Sequence, residues 1–486
     1  MSDIHQGRQY IIMGVFGLAT LALVLKLFQI QVMDSTYRAK ADATAIDKLT
    51  LYPSRGLIYD RNGKLLVNNN PVYDLKVTYN QIDKSMDTTK FCQILGITEE
   101  SFKKRLSKNW RSGRYSRSIP FVFLKSISIE TYARFQESIY EFPGFFVEVR
   151  NVRGYPYSNA AHVLGYIKEV NQREIDRSQG KYALGDYIGA SGLELAYEEE
   201  LRGEKGAAYI LKDNLGREVG NYKGGDLDSA AVSGNNLISS LDIDLQTYGE
   251  QLLQNKIGSI VAIEPGSGEI LAMASSPGYD PNLLTINRNR GKAYSLLAAD
   301  PTKPLFDRST MAEYPPGSLF KTIVGLVGLE ENVLDANRKI RCSGGYILNG
   351  QMLTGCHGHP TCDNVNQAIQ HSCNAYFVTV FRDIVDKYGS FNPEKGLDMF
   401  NEYLYQFGVG RTLNIDFPRE QEGNYPSSSY YTKRFQPDKW KSVWIRSLGI
   451  GQGEMLMTNL QMANLAATIA NRGFYYTPHF VRGFTD

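Results

Sequence analysis

The chain has 486 residues, 42% of them hydrophobic and 21% charged, enough apolar side chain to build two or three cores of ordinary size. Its 53 basic and 51 acidic residues leave a formal charge of +2, which removes any global reason for binding nucleic acid or an anionic surface.

First in chain order is YIIMGVFGLATLALVL, residues 10–25, an uncharged run that LFQIQV continues beyond Lys26. Counted through Val32 it is long enough to cross about 30 Å of hydrocarbon, with Lys26 snorkelling to one interface. The run is long for the apolar region of a cleaved signal peptide, and the nearest small-x-small site, Ala39-Lys40-Ala41, lies far downstream. We therefore read a retained single-span anchor. Arg8 on one flank and Lys26, Arg38 and Lys40 on the other leave its orientation open.

From about Asp34 to Val232, β-prone runs such as PVYDLKVTY and FFVEVRNV alternate with helical, charged stretches such as GITEESFKKRL and SIETYARFQ, which predicts an elongated α+β region. Residues 103–117 hold Lys103, Lys104, Arg105, Lys108, Arg111, Arg114 and Arg117 with no acid among them. That pattern reads as a solvated helix face, with a partner or anionic-polymer contact as the alternative. KGGDLDSAAVSGNN, rich in small and turn-forming residues, marks a domain boundary. LDIDLQTYGEQLL then begins as a helix and leads into a hairpin, IVAIEPGSGEILAMASSPGYDPN, turning at Glu264-Pro265-Gly266-Ser267-Gly268. An antiparallel sheet flanked by helices is expected.

The chemistry-bearing feature follows in YPPGSLFKTIVGLVGLE. A Pro-Pro-Gly turn delivers Ser318 to the start of an apolar helix, and Lys321 stands one turn later on the same face. A serine needs an adjacent base to become a nucleophile, and a lysine buried among apolar neighbours loses its preference for the charged form and can accept a proton. Leu319, Phe320, Ile323, Val324 and Leu326 supply those neighbours. A second S-x-x-K, Ser101 with Lys104, lies in the basic stretch with no apolar wall, so we assign it no chemistry. An ordinary capped core helix is the competing reading at Ser318, because serine also favours N-caps.

Downstream, Ser372-Cys373-Asn374 forms a polar turn between two apolar stretches in VNQAIQHSCNAYFVTVF. Ser-x-Asn recurs at Ser107/Asn109 and Ser233/Asn235, so the triplet means little alone. A nucleophile helix followed about fifty residues later by Ser-x-Asn resembles the penicillin-recognising serine acyltransferases and β-lactamases. YPSRGLIYDRNGKLL, RGYPYSNAAHVLGYI, GASGLELAYEEELRGEKG, the hairpin and LGIGQGEM extend the resemblance over nearly the whole chain, to the class B, monofunctional penicillin-binding proteins. The details are most similar to the branch serving rod elongation, with the septal branch as nearest competitor.

The resemblance implies an α+β fold with a cytoplasmic tail at 1–9, a transmembrane anchor at 10–32, a pedestal of the dimerisation type at 33–235, and a penicillin-binding/β-lactamase-like transpeptidase domain at 236–486. It implies a D,D-transpeptidase that cross-links peptidoglycan stem peptides through a serine acyl-enzyme during lateral wall synthesis. A septal transpeptidase and a catalytically incompetent scaffold are the alternatives. The implied roles are Ser318 as nucleophile, Lys321 as base, Ser372 as proton relay to the leaving D-Ala, and Asn374 as the group holding the substrate backbone and orienting Lys321. No cofactor is needed for that chemistry. Implied partners are stem peptides on lipid-linked precursor strands, β-lactams, a membrane glycan polymerase and elongation-complex proteins, with no nucleic acid. Implied localisation is the inner membrane, single-pass, with the catalytic domain periplasmic. A β-lactamase or carboxypeptidase does not need so long a pedestal.

One departure stands out. The family's Lys-Ser/Thr-Gly triplet, which lines the site and supplies an oxyanion donor, does not occur after Asn374, and the chain reaches Asp486 within TPHFVRGFTD. We expect a C-terminally truncated sequence, short of that donor, so that this polypeptide need not be active even where the full-length protein is an enzyme.

Four of the five cysteines, Cys342, Cys356, Cys362 and Cys373, lie close to these motifs with His357 and His359, while Cys92 reads as a buried small hydrophobe. An oxidising compartment makes a disulfide such as Cys342 with Cys356 the default. The competing reading is a structural zinc held by Cys342, Cys356, His359 and Cys373 in a loop that braces the Ser-x-Asn turn.

Overall fold

The computed structural model describes residues 3–29, 46–111, 116–212, 218–287 and 289–485. Residues 30–32 of the expected anchor, Arg38 to Ala41, and Arg114 lie outside the described residues.

Among the described residues one helix is long and apolar enough to cross a membrane. It runs Asp3–Phe28, and its Tyr10–Phe28 portion has a mean hydropathy of 2.3 with no part buried against the protein. Nineteen residues at 1.5 Å each give about 28 Å, close to a bilayer's hydrocarbon thickness.

The chain divides into two compact units that interleave along the sequence. One comprises Met1–Arg55, Pro71–Asn151 and Gly203–Gly234, the other Gly56–Asn70, Val152–Arg202 and Asn235–Asp486. Segments 56–70 and 152–202, which the sequence reading places with the pedestal, thus cluster with the C-terminal part of the chain.

In the first unit, Asp87 caps helix Thr88–Leu95 by accepting from Lys90 N, and Gly96 ends it in the left-handed region. This helix presents Phe91 as the hub of an aromatic core, with the rings of Phe102, Phe123, Phe135, Phe142 and Phe145 at 4.5 to 5.7 Å. Such tilted and edge-on contacts each add roughly 0.5–1.5 kcal/mol beyond burial. A separate antiparallel sheet joins Ile46–Leu51, Gly206–Lys212 and Glu218–Asn221. The small-residue stretch read as a boundary is partly structured, because Val232 and Ser229 pair with Glu204 and Ala207. Glycine is required opposite: a Cβ on Gly206 would lie 2.3 Å from Ser229 O.

In the second unit the expected hairpin forms, Gly258–Ile263 against Ile270–Ser276, with Gly268 at φ 83 closing the turn onto Glu264. Helix Asn459–Ala470 packs on it; its Asn459 donates to Ser259, and Thr458 and Gln461 form its capping box. Strand Asn236–Ser239 pairs antiparallel with Val481–Thr485 and parallel with Ile58–Tyr59. Three sequence motifs converge on one buried ion pair. Arg153 Nε donates to Glu194 Oε1 at 2.6 Å, while its other nitrogens reach Asn69 Oδ1 and Gly56 O at 2.8 and 2.7 Å. Both side chains are sealed from solvent, so losing either partner would strand a buried charge. The core beside the chemistry is built by helices Lys321–Glu330 and Asn374–Val385, whose Ile323, Val324, Val327, Phe377, Val380 and Phe381 are fully or almost fully buried.

Candidate active site

Gly317 adopts φ 58, a left-handed turn that favours glycine, and opens a 3-10 turn, Gly317–Phe320, that runs directly into helix Lys321–Glu330. Residues three apart eclipse in 3-10 geometry. Ser318 and Lys321 therefore share a face, while Phe320 and Ile323 drop into the core. Ser318 is exposed; Lys321 is only 2% exposed. At the other S-x-x-K, Lys104 is exposed and the Ser101 hydroxyl accepts from Arg105 instead.

The lysine does not bond Ser318 directly. Its ammonium has three donors, and they go to Ser372 O at 2.7 Å, Ser372 Oγ at 2.9 Å and Asn374 Oδ1 at 2.6 Å. Ser372 Oγ in turn donates to Ser318 Oγ at 2.9 Å. The four residues form one relay, with Ser372 interposed between amine and nucleophile. Burial pushes the Lys321 pKa below its ordinary 10.5, against the opposing influence of Cys356 and Cys373.

Ser372 reaches this position through strain. Helix Val365–Gln370 ends at His371, Ser372 takes φ 48, and Cys373 N-caps the next helix by accepting from Tyr376 N. A non-glycine residue in the left-handed region costs about 1–3 kcal/mol and persists where its surroundings over-determine it. Here the two bonds from Lys321 hold it.

Three supports carry no assigned role in the sequence reading. Asn374 Nδ2 donates to Gly355 O at 2.8 Å, fixing the amide so that Oδ1 faces Lys321. Gly355 ends hairpin strand Gln351–Gly355, and Arg446 grips that strand through Leu353 O and Thr354 Oγ1. Gly451, within LGIGQGEM, accepts from Gly317 N at 2.8 Å and approaches so closely that a Cβ would lie 2.2 Å from Gly317 O. The doubled glycine of that motif, Gly451 and Gly453 at φ 68 and 87, was the available signal of a backbone constraint.

All five cysteines are free thiols, so the default disulfide does not form. Instead Cys342 Sγ, Cys356 Sγ, Cys373 Sγ and a His359 ring nitrogen lie within 4.8 Å of one another. Tetrahedral zinc, about 2.3 Å from sulfur and 2.0 Å from nitrogen, has donor–donor edges of about 3.5–3.8 Å, so small shifts would close the set. His359 Nε2 is already 3.3 Å from Cys356 Sγ, and its Nδ1 lies 2.6 Å from Pro360 O, the outer contact that orients a ligating imidazole. Burial raises the thiol pKa at Cys342 and Cys373. At Cys356 burial is outweighed by donation from Asn374 N and by His359. Cys362 is buried beside the cluster, outside the four.

Residues 50–239 match the penicillin-binding protein dimerisation domain, and residues 258–486 the penicillin-binding protein transpeptidase domain. The fold and site thus define a two-domain transpeptidase. Peptidoglycan D,D-transpeptidase MrdA of Acinetobacter baumannii is 33% identical, over 99% of this chain and 69% of its own length. MrdA of Escherichia coli K12 is 30% identical, over 96% and 72%. Penicillin-binding protein PBP2 of Helicobacter pylori, solved in complex with MreC, superposes with a TM-score of 0.72 at 26% identity, covering 91% of this chain and 80% of that one. PBP2 of Pseudomonas aeruginosa gives 0.62 at 25% identity, over 90% and 73%. The chain belongs to the penicillin-binding proteins that carry a dimerisation domain before the transpeptidase domain.

Proposed function

We propose that Ser318 is the residue acylated in the reaction this chain performs, D,D-transpeptidation of peptidoglycan in cell-wall elongation. The observation that carries this reading is the unbroken path Lys321 Nζ to Ser372 Oγ to Ser318 Oγ, buried at the amine and open at the nucleophile. With Lys321 neutral, the proton of Ser318 passes through Ser372 to the amine as Oγ bonds the penultimate D-Ala carbonyl carbon. The Ser318 N–H, in the first turn of Gly317–Phe320 where backbone donors have no intrahelical acceptor, stabilises the developing oxyanion. The same relay, now running from the ammonium outward, returns the proton to the departing D-Ala amine as the C–N bond breaks. An amine of a neighbouring stem peptide then attacks the ester, forming the cross-link and releasing Ser318. A β-lactam enters by the same route and leaves slowly.

In this reading helix Asp3–Phe28 anchors the protein in the inner membrane and the catalytic part is periplasmic, beside a membrane glycan polymerase and elongation-complex proteins. Labelling with fluorescent penicillin is expected to give one covalent adduct that Ser318→Ala abolishes. An adduct persisting in that variant would place the nucleophile elsewhere, and none in the parent would favour a scaffold; either would sink the assignment.

We also assign Cys342, Cys356, His359 and Cys373 as ligands of a structural zinc. Cys356 and Cys373 flank Asn374 through its N–H and as its N-cap, so the metal would brace the Ser-x-Asn turn and take no part in proton transfer. One zinc per chain is expected by elemental analysis. Its removal by chelator should lower Tm by roughly 4–8 °C, the effect of about 2 kcal/mol in a domain of 150–250 residues. Folded, zinc-free protein with an unchanged Tm would refute it.

A further inference from the structure

We propose that a second cavity in the unit carrying Ser318 binds the free carboxylate of a stem peptide, at its γ-linked D-glutamyl residue and away from the bond that reacts; this rests on the peptidoglycan reading above. The cavity measures about 250 Å³ and contains none of the four relay residues. It falls just below the usual range of about 300–1,000 Å³ for small-molecule sites, room for one residue of a peptide and not for a strand.

The lining mixes aliphatic, aromatic and polar side chains, and some of its polar groups are already engaged. His162 Nε2 lies 2.8 Å from Pro304 O, and the two oxygens of Asp307 accept from Ser309 N and Thr310 Oγ1, both at 2.9 Å. Ser191 Oγ has no partner but is sealed from solvent, so it takes no part. The phenols of Tyr166, Tyr279 and Tyr294 and the guanidinium of Arg419 make no hydrogen bond or ion pair with any described residue. Tyr166 and Tyr279 are half-buried, whereas Tyr294 and Arg419 are exposed at the mouth. Burial pushes the Tyr166 and Tyr279 phenols above their ordinary value, so near neutral pH both are uncharged hydroxyl donors.

The charges around these donors leave a cation over. Arg290 places its guanidinium 5.4 Å from the centre of the Tyr166 ring, and Glu169, which does not line the cavity, acts on it. Asp307 is the one acid in the lining, with a hydrogen bond already on each oxygen. Arg419 is therefore the unpaired charge. Three neutral donors beside one unpaired guanidinium suit a small acceptor carrying a single charge, which a carboxylate is and a diphosphate is not. Glutamate enters a stem peptide through its side-chain carboxyl, which leaves its α-carboxylate free on the strand. Position agrees as well: seven residues separate the lining residue Met311 from Ser318, which bounds their separation at about 25 Å, a span that a strand bearing several stem peptides covers.

The test uses N-acetyl-L-Ala-γ-D-Glu-L-Lys-amide, whose only carboxylate is the glutamyl one and which has no D-Ala-D-Ala end to acylate Ser318. It is titrated calorimetrically into the full chain in detergent, before and after acylation by penicillin. Saturable binding that survives acylation is expected, weakened at least about tenfold by Arg419→Ala or by converting the glutamyl carboxylate to its amide, and several-fold by Tyr279→Phe. An unchanged Tm identifies which variants remain folded, and the amide peptide tests the same contact without altering the protein. No saturable binding, binding blocked by penicillin, equal binding by Arg419→Ala, equally tight binding of the amide peptide, or tighter binding of inorganic diphosphate would overturn the proposal. Absence of penicillin labelling in the parent would instead sink the functional reading on which it rests.

Discussion

Lys321→Ala is expected to slow acylation of Ser318 by penicillin by about 10²–10⁴-fold, the range a positioned general base contributes. The amine is the only strong base on the path, and Ser372 without it is a hydroxyl that can pass a proton but not keep one. Two further losses act in the same direction. Ser372, at φ 48, would lose both bonds from Lys321, and Asn374 Oδ1 would lose its 2.6 Å partner. Lys321→Arg should not rescue, since a guanidinium stays protonated throughout the accessible pH range. In the parent, acylation should rise with pH. Below the Lys321 pKa the ammonium cannot accept the proton; above it the amine is free to do so. Because burial lowers that pKa, the midpoint should fall below 10.5. Stopped-flow acylation across pH measures both effects; an alanine variant within threefold of the parent, or a rate that falls as pH rises, would contradict the base assignment.

Gly451→Ala is expected to destabilise the protein by at least about 3 kcal/mol and to cut acylation with it. At φ 68 a Cβ costs about 1–3 kcal/mol in backbone strain alone. It would also meet Gly317 O at 2.2 Å and Gly317 N at 2.8 Å, and these are backbone atoms with no rotamer to escape into. The displacement falls on the turn that aims Ser318. Gly453→Ala is the internal control. Its φ of 87 imposes similar strain, but the nearest atom to its Cβ, on Ser447, is 3.5 Å away. Denaturant unfolding and penicillin labelling of the two variants should separate strain from displacement. Equal stability and equal labelling would show that the close approach of Gly451 to Gly317 does not position the nucleophile.

Local chemistry was legible without coordinates wherever one segment supplied both partners. The Pro-Pro-Gly turn, the placing of Ser318 and Lys321 on one face, the apolar wall along their helix and the hairpin turning at Gly268 are all set within a few residues by backbone sterics and side-chain period. The apolar run ending at Phe28 is likewise a property of one stretch. That Lys104 could carry no such chemistry was also readable, because its own neighbours are charged.

The order of the relay was not legible in that way. Ser372 lies 54 positions from Ser318 and 51 from Lys321, and whether the amine touches the nucleophile or the intervening hydroxyl depends on how two helices dock and on a left-handed residue at their junction. Gly355 and Arg446 were missed for the same reason, since a carbonyl and a guanidinium acquire a role only once a hairpin is packed beside Asn374. Nor does the sequence order of the segments show that 56–70 and 152–202 cluster with residues beyond Asn235. The sequence by itself determined which residue types stand ready for acyl transfer and which helix face holds the first two. Tertiary structure alone decided which donor meets which acceptor, because hydrogen bonds between segments are set by the packing of the cores beneath them and not by the spacing of the chain.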